Sequence, residues 1–243
     1  MAEERILALF DTHIPFNIPL DPIWEFTKDF KPTKVILGGD LHDWTAVCMW
    51  IADQSRALDG GTIRQNYEQI EMVVLAPLRK AAPKAEVILL TGNHEDWLFK
   101  ATLLNPNGRG YWELERNLPK SVKIIPVNQA YHVNKHLCYL HGLYTHKYHA
   151  YHTVHAVHKS VFYGHVHDCQ RYTDISPVDV TQFYTGASCG CLCNMNPTYM
   201  KNRPNRWVNG FNFCYVDTAT DEFAETQVYI IGNKFRANGK KYS

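Results

Sequence analysis

The sequence predicts an α/β fold with mixed sheets, and two observations carry that prediction. Short β-branched runs recur along the chain, and in its first half they alternate with helix-patterned stretches. Strand–helix–strand repetition needs crossover connections, which make neighbouring strands parallel. The later runs follow one another with short connections and little helix, which predicts antiparallel pairing there. At 243 residues the chain can bury a large core, and it is read as one domain spanning residues 1–243.

Taken in order, the strand candidates begin with Arg5–Phe10, Lys34–Leu37 and Val87–Thr91. Lys123–Val127, Leu137–Leu140 and Val161–Tyr163 follow, then Gln182–Thr185, Phe211–Asp217 and Thr226–Ile231. The clearest helix is Thr62–Ala81, with Ile63, Tyr67, Ile70, Val74 and Leu78 at steps of three or four. Trp97–Leu104 and Tyr111–Asn117 are shorter helix candidates. The polar, basic stretch Asn233–Ser243 is expected to be a loose tail.

Composition narrows the function classes. Lys plus Arg is 25 and Asp plus Glu is 24, a net charge of +1, so nothing in the overall charge favours nucleic acid or an anionic membrane. The longest apolar run, Ala46–Ala52, is far short of the ~20 residues of a membrane helix. The acidic N-terminus is no secretory signal, so a cytoplasmic protein is expected. The 7 cysteines read as free thiols in a reducing compartment. Cys189, Cys191 and Cys193 alternate, which places them on one face of an extended segment as small buried residues rather than in a zinc knuckle.

The outlier is His, of which there are 13. Several stand with Asp, Asn and Gly where predicted strands end, the edge at which open α/β sheets bind ligands. The first strand runs into Asp11-Thr12-His13, the second into Gly38-Gly39-Asp40-Leu41-His42-Asp43, and the third into Gly92-Asn93-His94-Glu95. Leu140-His141-Gly142 and Gly164-His165-Val166-His167 complete the series. Each fragment alone is weak. Together, in this order and all at strand ends, they point to metal chemistry.

This ordered set resembles the calcineurin-like metallophosphoesterases, whose pattern runs D-x-H, G-D-x-x-D, G-N-H-E/D, H-G and G-H-x-H. The resemblance spans roughly Arg5 to His167. It implies a four-layer αββα sandwich of two mixed β-sheets flanked by helices. It implies two divalent metal ions, manganese foremost, with iron, zinc, nickel or magnesium as alternatives. One ion would be held by Asp11, His13, Asp40 and His167, the other by Asp40, Asn93, His141 and His165, with Asp40 bridging. Ions ~3.5–4 Å apart activate water and clamp phosphoryl oxygens. His94 would protonate the leaving group, with Asp43 behind it raising its pKa and fixing its tautomer. Glu95 reads as structural.

The implied activity is hydrolysis of phosphodiesters or phosphomonoesters, on a small molecule or on a nucleotide or nucleic acid. A DNA or RNA nuclease and a protein phosphatase are the alternatives. Protein phosphatases carry G-D-x-x-D-R-G, whereas Trp44 and Thr45 follow Asp43 here. That removes the Arg which binds substrate phosphate in those enzymes. His42, Arg64, His149 and Arg206 are weak candidates for substrate binding, and Lys147 and Arg171 are further cations that could replace the missing Arg. Some members of this fold have lost catalysis and bind partners. That reading predicts missing ligands, and here every ligand position is filled.

Two stretches stand outside the motifs. His149, His152, His155 and His158 recur every three residues, a step that drifts round a helix, so they read as an exposed or mixed helix with His146 or His149 able to line the pocket. The C-terminal third looks like the tail of small, single-domain members often found in bacteriophage genomes. Tyr199, Lys201, Arg203, Arg206 and Trp207 mix aromatic and basic character there, fit to stack a base and hold a phosphate, to form a lid, or simply to connect strands.

Overall fold

The structure is a computed structural model that describes residues 3–48, 61–179, 181 and 183–243. Gln182 and the end of the Ala46–Ala52 run lie outside the described residues. β-Branched and aliphatic runs with few polar interruptions form the inner strands of two mixed sheets. The first sheet uses β1 (Glu3–Leu9), β2 (Lys34–Leu37), β3 (Glu86–Leu90) and β4 (Val122–Ile125). The second uses β5 (Tyr131–His132), β6 (Leu137–Leu140), β7 (Ser160–Tyr163), β8 (Arg171–Ile175) and β9 (Phe183–Ser188). The chain then returns to the first sheet with β10 (Gly210–Asp217) and β11 (Phe223–Tyr229).

The first sheet has six strands in the order β11-β10-β1-β2-β3-β4, and the second has five in the order β5-β6-β7-β9-β8. Strands β1 to β4 pair in parallel, as the strand–helix repetition requires. Among the later strands the antiparallel expectation holds for β8–β9, β1–β10 and β10–β11. It fails for β7 and β9, which pair in parallel because β8 lies outside β9 and returns the chain in the same direction.

Alternation along β1 sets the layers. Ile6, Ala8 and the following Phe10 join Ile36, Ile88, Tyr139 and Phe162 between the sheets. Leu7 and Leu9 face the other way, into a core with Val35, Leu37 and Leu89. That core is covered by helices α1 (Asp21–Phe30), α2 (Ile63–Ile70) and α3 (Ala76–Ala81), which contribute Ile23, Phe26, Ile70 and Leu78. A π-helical turn, Glu71–Leu75, joins α2 to α3, where a single helix was expected. Pro77 follows it, has no N–H for the carbonyl four residues back and cannot continue a regular ladder. Helix α4 (Asn93–Leu104) leaves the end of β3, and α5 (Leu114–Asn117) precedes β4. On the outside of the second sheet, Cys138, Leu140, Val161 and Tyr163 pack with Val157 of α6 (His149–Val157). The architecture is therefore helices, sheet, sheet and helix. No helix among the described residues is long and apolar enough to cross a membrane.

The expected loose tail is corrected. Residues 233–243 form a hairpin of β12 (Phe235–Ala237) and β13 (Lys240–Tyr242). Phe235 and Tyr242 are buried against Phe26, and the Tyr242 hydroxyl and Lys240 Nζ both bond Asp29 of α1. Two aromatic anchors outweigh the polar composition around them. Phe235→Ala should cost about 3 kcal/mol by chemical denaturation, the usual loss for a buried aromatic; a change near zero would return the segment to a loose tail.

Candidate metal centre

Five strand ends deliver the motif residues to one place. Asp11 and His13 follow β1, Asp40 and Asp43 follow β2, and Asn93 and His94 open α4 after β3. His141 follows β6, and His165 and His167 follow β7. The loops are tied to each other through the backbone: His13 N donates to Asp40 O at 2.9 Å, and Gly164 N to His141 O at 2.7 Å. Asp11, His13, Asp40, His165 and His167 have φ between 47° and 70°, the left-handed region. For residues other than Gly this costs of order 1 kcal/mol each and persists only where surroundings impose it. Gly92 and Gly164 allow close approaches, since a Cβ there would strike the Asp40 and Asp11 carboxylates.

Two groups of donor atoms result. In the first, His13 Nε2 and His167 Nε2 lie 3.1 Å apart, with Asp11 Oδ1 3.6 Å from His167 Nε2. In the second, His141 Nε2 lies 3.2 Å from both Asn93 Oδ1 and His165 Nδ1. Asp40 Oδ2 sits between them, 3.4 Å from His141 Nε2 and 3.7 Å from His13 Nε2. The other Asp40 oxygen accepts the His94 N–H at 2.9 Å, at the N-terminus of α4. His13 Nδ1 lies 3.0 Å from Asp43 Oδ1, and His141 Nδ1 lies 2.9 Å from Gly38 O. Those outer contacts leave each Nε2 lone pair facing inward, the arrangement metal-ligating histidines use.

The structure brings His94 beside this cluster. His94 Nδ1 is 3.0 Å from the Asp43 carbonyl oxygen and 3.5 Å from its carboxylate, which sits closer to His13. Asp43 therefore holds two imidazoles, His94 chiefly through its main chain. The expected rise in the His94 pKa is corrected. Burial outweighs the attraction of Asp40 and Asp43, and the imidazole falls to about 4. Trp97 covers one face of that ring, with centroids 3.9 Å apart.

Glu95 has a larger part than its plain structural reading suggests. Its buried carboxylate accepts from Asp40 N at 2.8 Å, Leu41 N at 2.9 Å, Gly92 N at 2.8 Å and Trp44 Nε1 at 3.3 Å. It thereby caps α4 and clamps the Asp40 loop to it. The signal was present in the sequence, because Glu stands three residues after the N-cap Gly92, the capping-box spacing.

The weaker candidates separate by position. His42 is buried and engaged at both nitrogens, accepting from Trp44 N and bonding Gln69 Oε1. Arg64 lies exposed on α2, paired with Glu68, and Arg171 pairs with Glu225. His149, Lys147 and Arg206 line a cavity beside His165. Trp207, one of the loop aromatics named from the sequence, packs its ring on His167 at 4.4 Å, and Asp168, which no sequence motif marks, bonds His149. Cys189, Cys191 and Cys193 are fully buried.

Electrostatics show what the centre lacks. Burial pushes the Asp11 and Asp40 carboxyls up, but the imidazoles of His167, His141, His94 and His13 outweigh it and hold both below the usual range. Burial pushes His141 down, but Asp40 and Asp11 outweigh it and raise it to about 10; Asp11 likewise raises His167. Asp11 Oδ1, which faces the first group, is buried with no hydrogen-bond partner among the described residues. Converging donors of this kind fit divalent metal ions: Asp11, His13 and His167 form one candidate group, Asp40, His141 and His165 a second, and His13, Asp43 and His94 a third that shares His13 with the first.

No protein-family model and no curated protein matches the chain. Its fold is similar to that of Vps29 from Entamoeba histolytica, solved as a single-substitution variant: TM-score 0.50, 9% identity, covering 98% of this chain and 99% of that one. A double-substitution variant of the same protein gives a TM-score of 0.50 at 8% identity, with the same coverage. The likeness is one of fold alone: two mixed sheets flanked by helices.

Metal uptake should release protons. A His raised above its free value of 6.5 stabilises the metal-free fold fully below that pH, and the contribution is lost as pH rises through about 10 for His141. At pH 8 the ring is still protonated and a dication must displace that proton. Adding manganese to chelated protein in weak buffer should acidify it, and no proton release would contradict the charge assignment. Glu95→Gln should weaken metal binding by roughly 10–100-fold, as loss of an outer-shell partner does.

Proposed function

We propose that this chain is a binuclear metal-dependent phosphoesterase that hydrolyses phosphodiester or phosphomonoester bonds. The observation that supports this reading is the place of Asp40 Oδ2 between two donor groups, 3.4 Å from His141 and 3.7 Å from His13. Asp11, His13, Asp40 and His167 would hold one ion, and Asp40, Asn93, His141 and His165 the other. Bound there, the ions would activate water and offset charge on the phosphoryl oxygens.

The chain's own residues do the rest. The Asp43 carbonyl fixes the His94 tautomer by accepting from Nδ1, which turns Nε2 to within 3.9 Å of Asp40 Oδ2. A proton held at Nε2 passes to the departing oxygen. Burial keeps His94 at about 4 in the free protein, so the proton is acquired when an anionic phosphoryl group arrives and favours the imidazolium. Trp97 keeps water from one face of the ring. Trp44 stands where protein phosphatases have their phosphate-binding Arg, and it is locked into the core by Glu95 and Tyr67, which argues against that alternative.

Hydrolysis of bis-p-nitrophenyl phosphate and p-nitrophenyl phosphate, with manganese, nickel, zinc or magnesium added to chelated protein, tests the reading. Turnover of at least one ester is expected; none with either, in protein shown to carry metal, would contradict it. Asp40→Ala should lose metal and turnover together. His94→Gln should keep the metal and lose about 10²–10⁴ in kcat, most for poor leaving groups. Loss of metal in that variant would overturn the proton-transfer role.

A further inference from the structure

Beside His165 a cavity of about 470 Å³ opens, within the size range of small-molecule pockets. Its wall is built rather than incidental. The buried His149 imidazole bridges the Tyr163 hydroxyl at 2.7 Å and Asp168 Oδ2 at 3.1 Å, while Ser188 Oγ donates to Asp168 Oδ1 at 2.8 Å. Gln170 fastens the chain on either side of His149, accepting from Ala150 N at 3.0 Å and donating to Lys147 O at 2.8 Å. Both oxygens of the one carboxylate in the wall are thus engaged by neighbours.

Arg206 and Trp207 line the same cavity, and the Arg206 charge is among the neighbours that lower the Asp168 carboxyl. Trp207 is half-buried, its ring packed edge-on against His167, and its main-chain N–H donates to Asn205 Oδ1 at 3.1 Å. Asn205 in turn donates to Met195 O at 2.7 Å, so the loop carrying the indole is closed on itself. Arg206 and Lys147 are exposed cations that line the same cavity. A fixed aromatic plane, two cations and an opening onto the metal centre through His165 match a planar, anionic ligand. Aromatic rings of this kind stack any nucleobase, and neighbouring cations hold its phosphate.

We propose that this cavity takes the nucleoside part of a nucleotidyl phosphoester whose phosphorus lies at the metal centre. The base stacks on Trp207, and Arg206 and Lys147 attract the phosphate. This rests on the phosphoesterase reading and narrows its substrate class. Tyr199, the other aromatic of the loop, packs on Phe16 and stands apart from the cavity lining.

The test is calorimetric titration of the full chain, metals chelated, with AMP, ribose 5-phosphate and a short single-stranded oligodeoxynucleotide. AMP should bind at least about 10-fold more tightly than ribose 5-phosphate, since only AMP has a base to stack. Trp207→Ala should weaken AMP by about 10–100-fold and Trp207→Phe by much less, with Arg206→Ala also weakening it. Equal affinity for the two phosphates, binding of neither nucleotide probe, or Ala variants that bind like the parent would overturn the proposal. Tighter binding of the oligonucleotide than of AMP supports it and identifies a nucleic-acid end as the source of the nucleotidyl group; the reverse supports it and identifies a mononucleotide. AMP binding without nitrophenyl-ester hydrolysis would sink the phosphoesterase reading and leave the cavity assignment; hydrolysis without AMP binding would do the opposite.

Discussion

Four carboxylates, those of Asp11, Asp40, Asp43 and Glu95, are buried at one end of the two sheets. An uncompensated buried charge costs several kcal/mol, so the fold must bring donors or cations to each. The solution differs by residue. Glu95 is satisfied by main-chain N–H groups and one indole, and needs no cation. Asp11 and Asp40 are faced chiefly by imidazoles, and their inward oxygens point where a metal ion would sit. Much else follows from this division. Glu95 fixes the Asp40 loop to α4, α4 presents Asn93 and His94, and the Asp43 main chain orients His94.

The same constraint accounts for the backbone. Strands deliver ligands pointing along the sheets, whereas a compact centre needs them turned inward within one or two residues. Left-handed φ values at Asp11, His13, Asp40, His165 and His167 make that turn. The cost is carried by the layers beneath, where Phe10, Ile36, Tyr139 and Phe162 lock the two sheets together. The strands' order in the sheets therefore decides the chemistry: β1, β2 and β3 lie side by side, as do β6 and β7, and each set presents its ends on the same edge.

The gathering of the strand-end residues was legible because those motifs preserve both order and spacing, and the central strands because β-branched runs are local signals. Other elements were hidden for physical reasons. Helix α1 begins at Asp21-Pro22 and buries Ile23, Phe26 and Phe30, a clear periodic face that the surrounding polar and Pro residues obscure. The two-residue β5 and the half-exposed β8 are held by pairing to β6 and β9 rather than by their own composition. The terminal hairpin depends on Phe235 and Tyr242 reaching Phe26, more than 200 residues away in sequence, as is the bond from Lys240 to Asp29 (separation 211). The sign of the His94 shift was likewise not local, since burial by Trp97 and the sheet ends decides it. His149 reads as one of a repeating series, and only the packing of α6 on β7 separates it from His152 and His155 by burying it against Tyr163.

The central claim is that Asp40 joins two donor groups into one binuclear centre. Electron paramagnetic resonance of chelated protein refilled with manganese tests it most directly, because ions bridged by a shared carboxylate are exchange-coupled and isolated ions are not. The account predicts the hyperfine pattern of a coupled pair, lost in Asp40→Ala. A spectrum of isolated ions at full occupancy would contradict it.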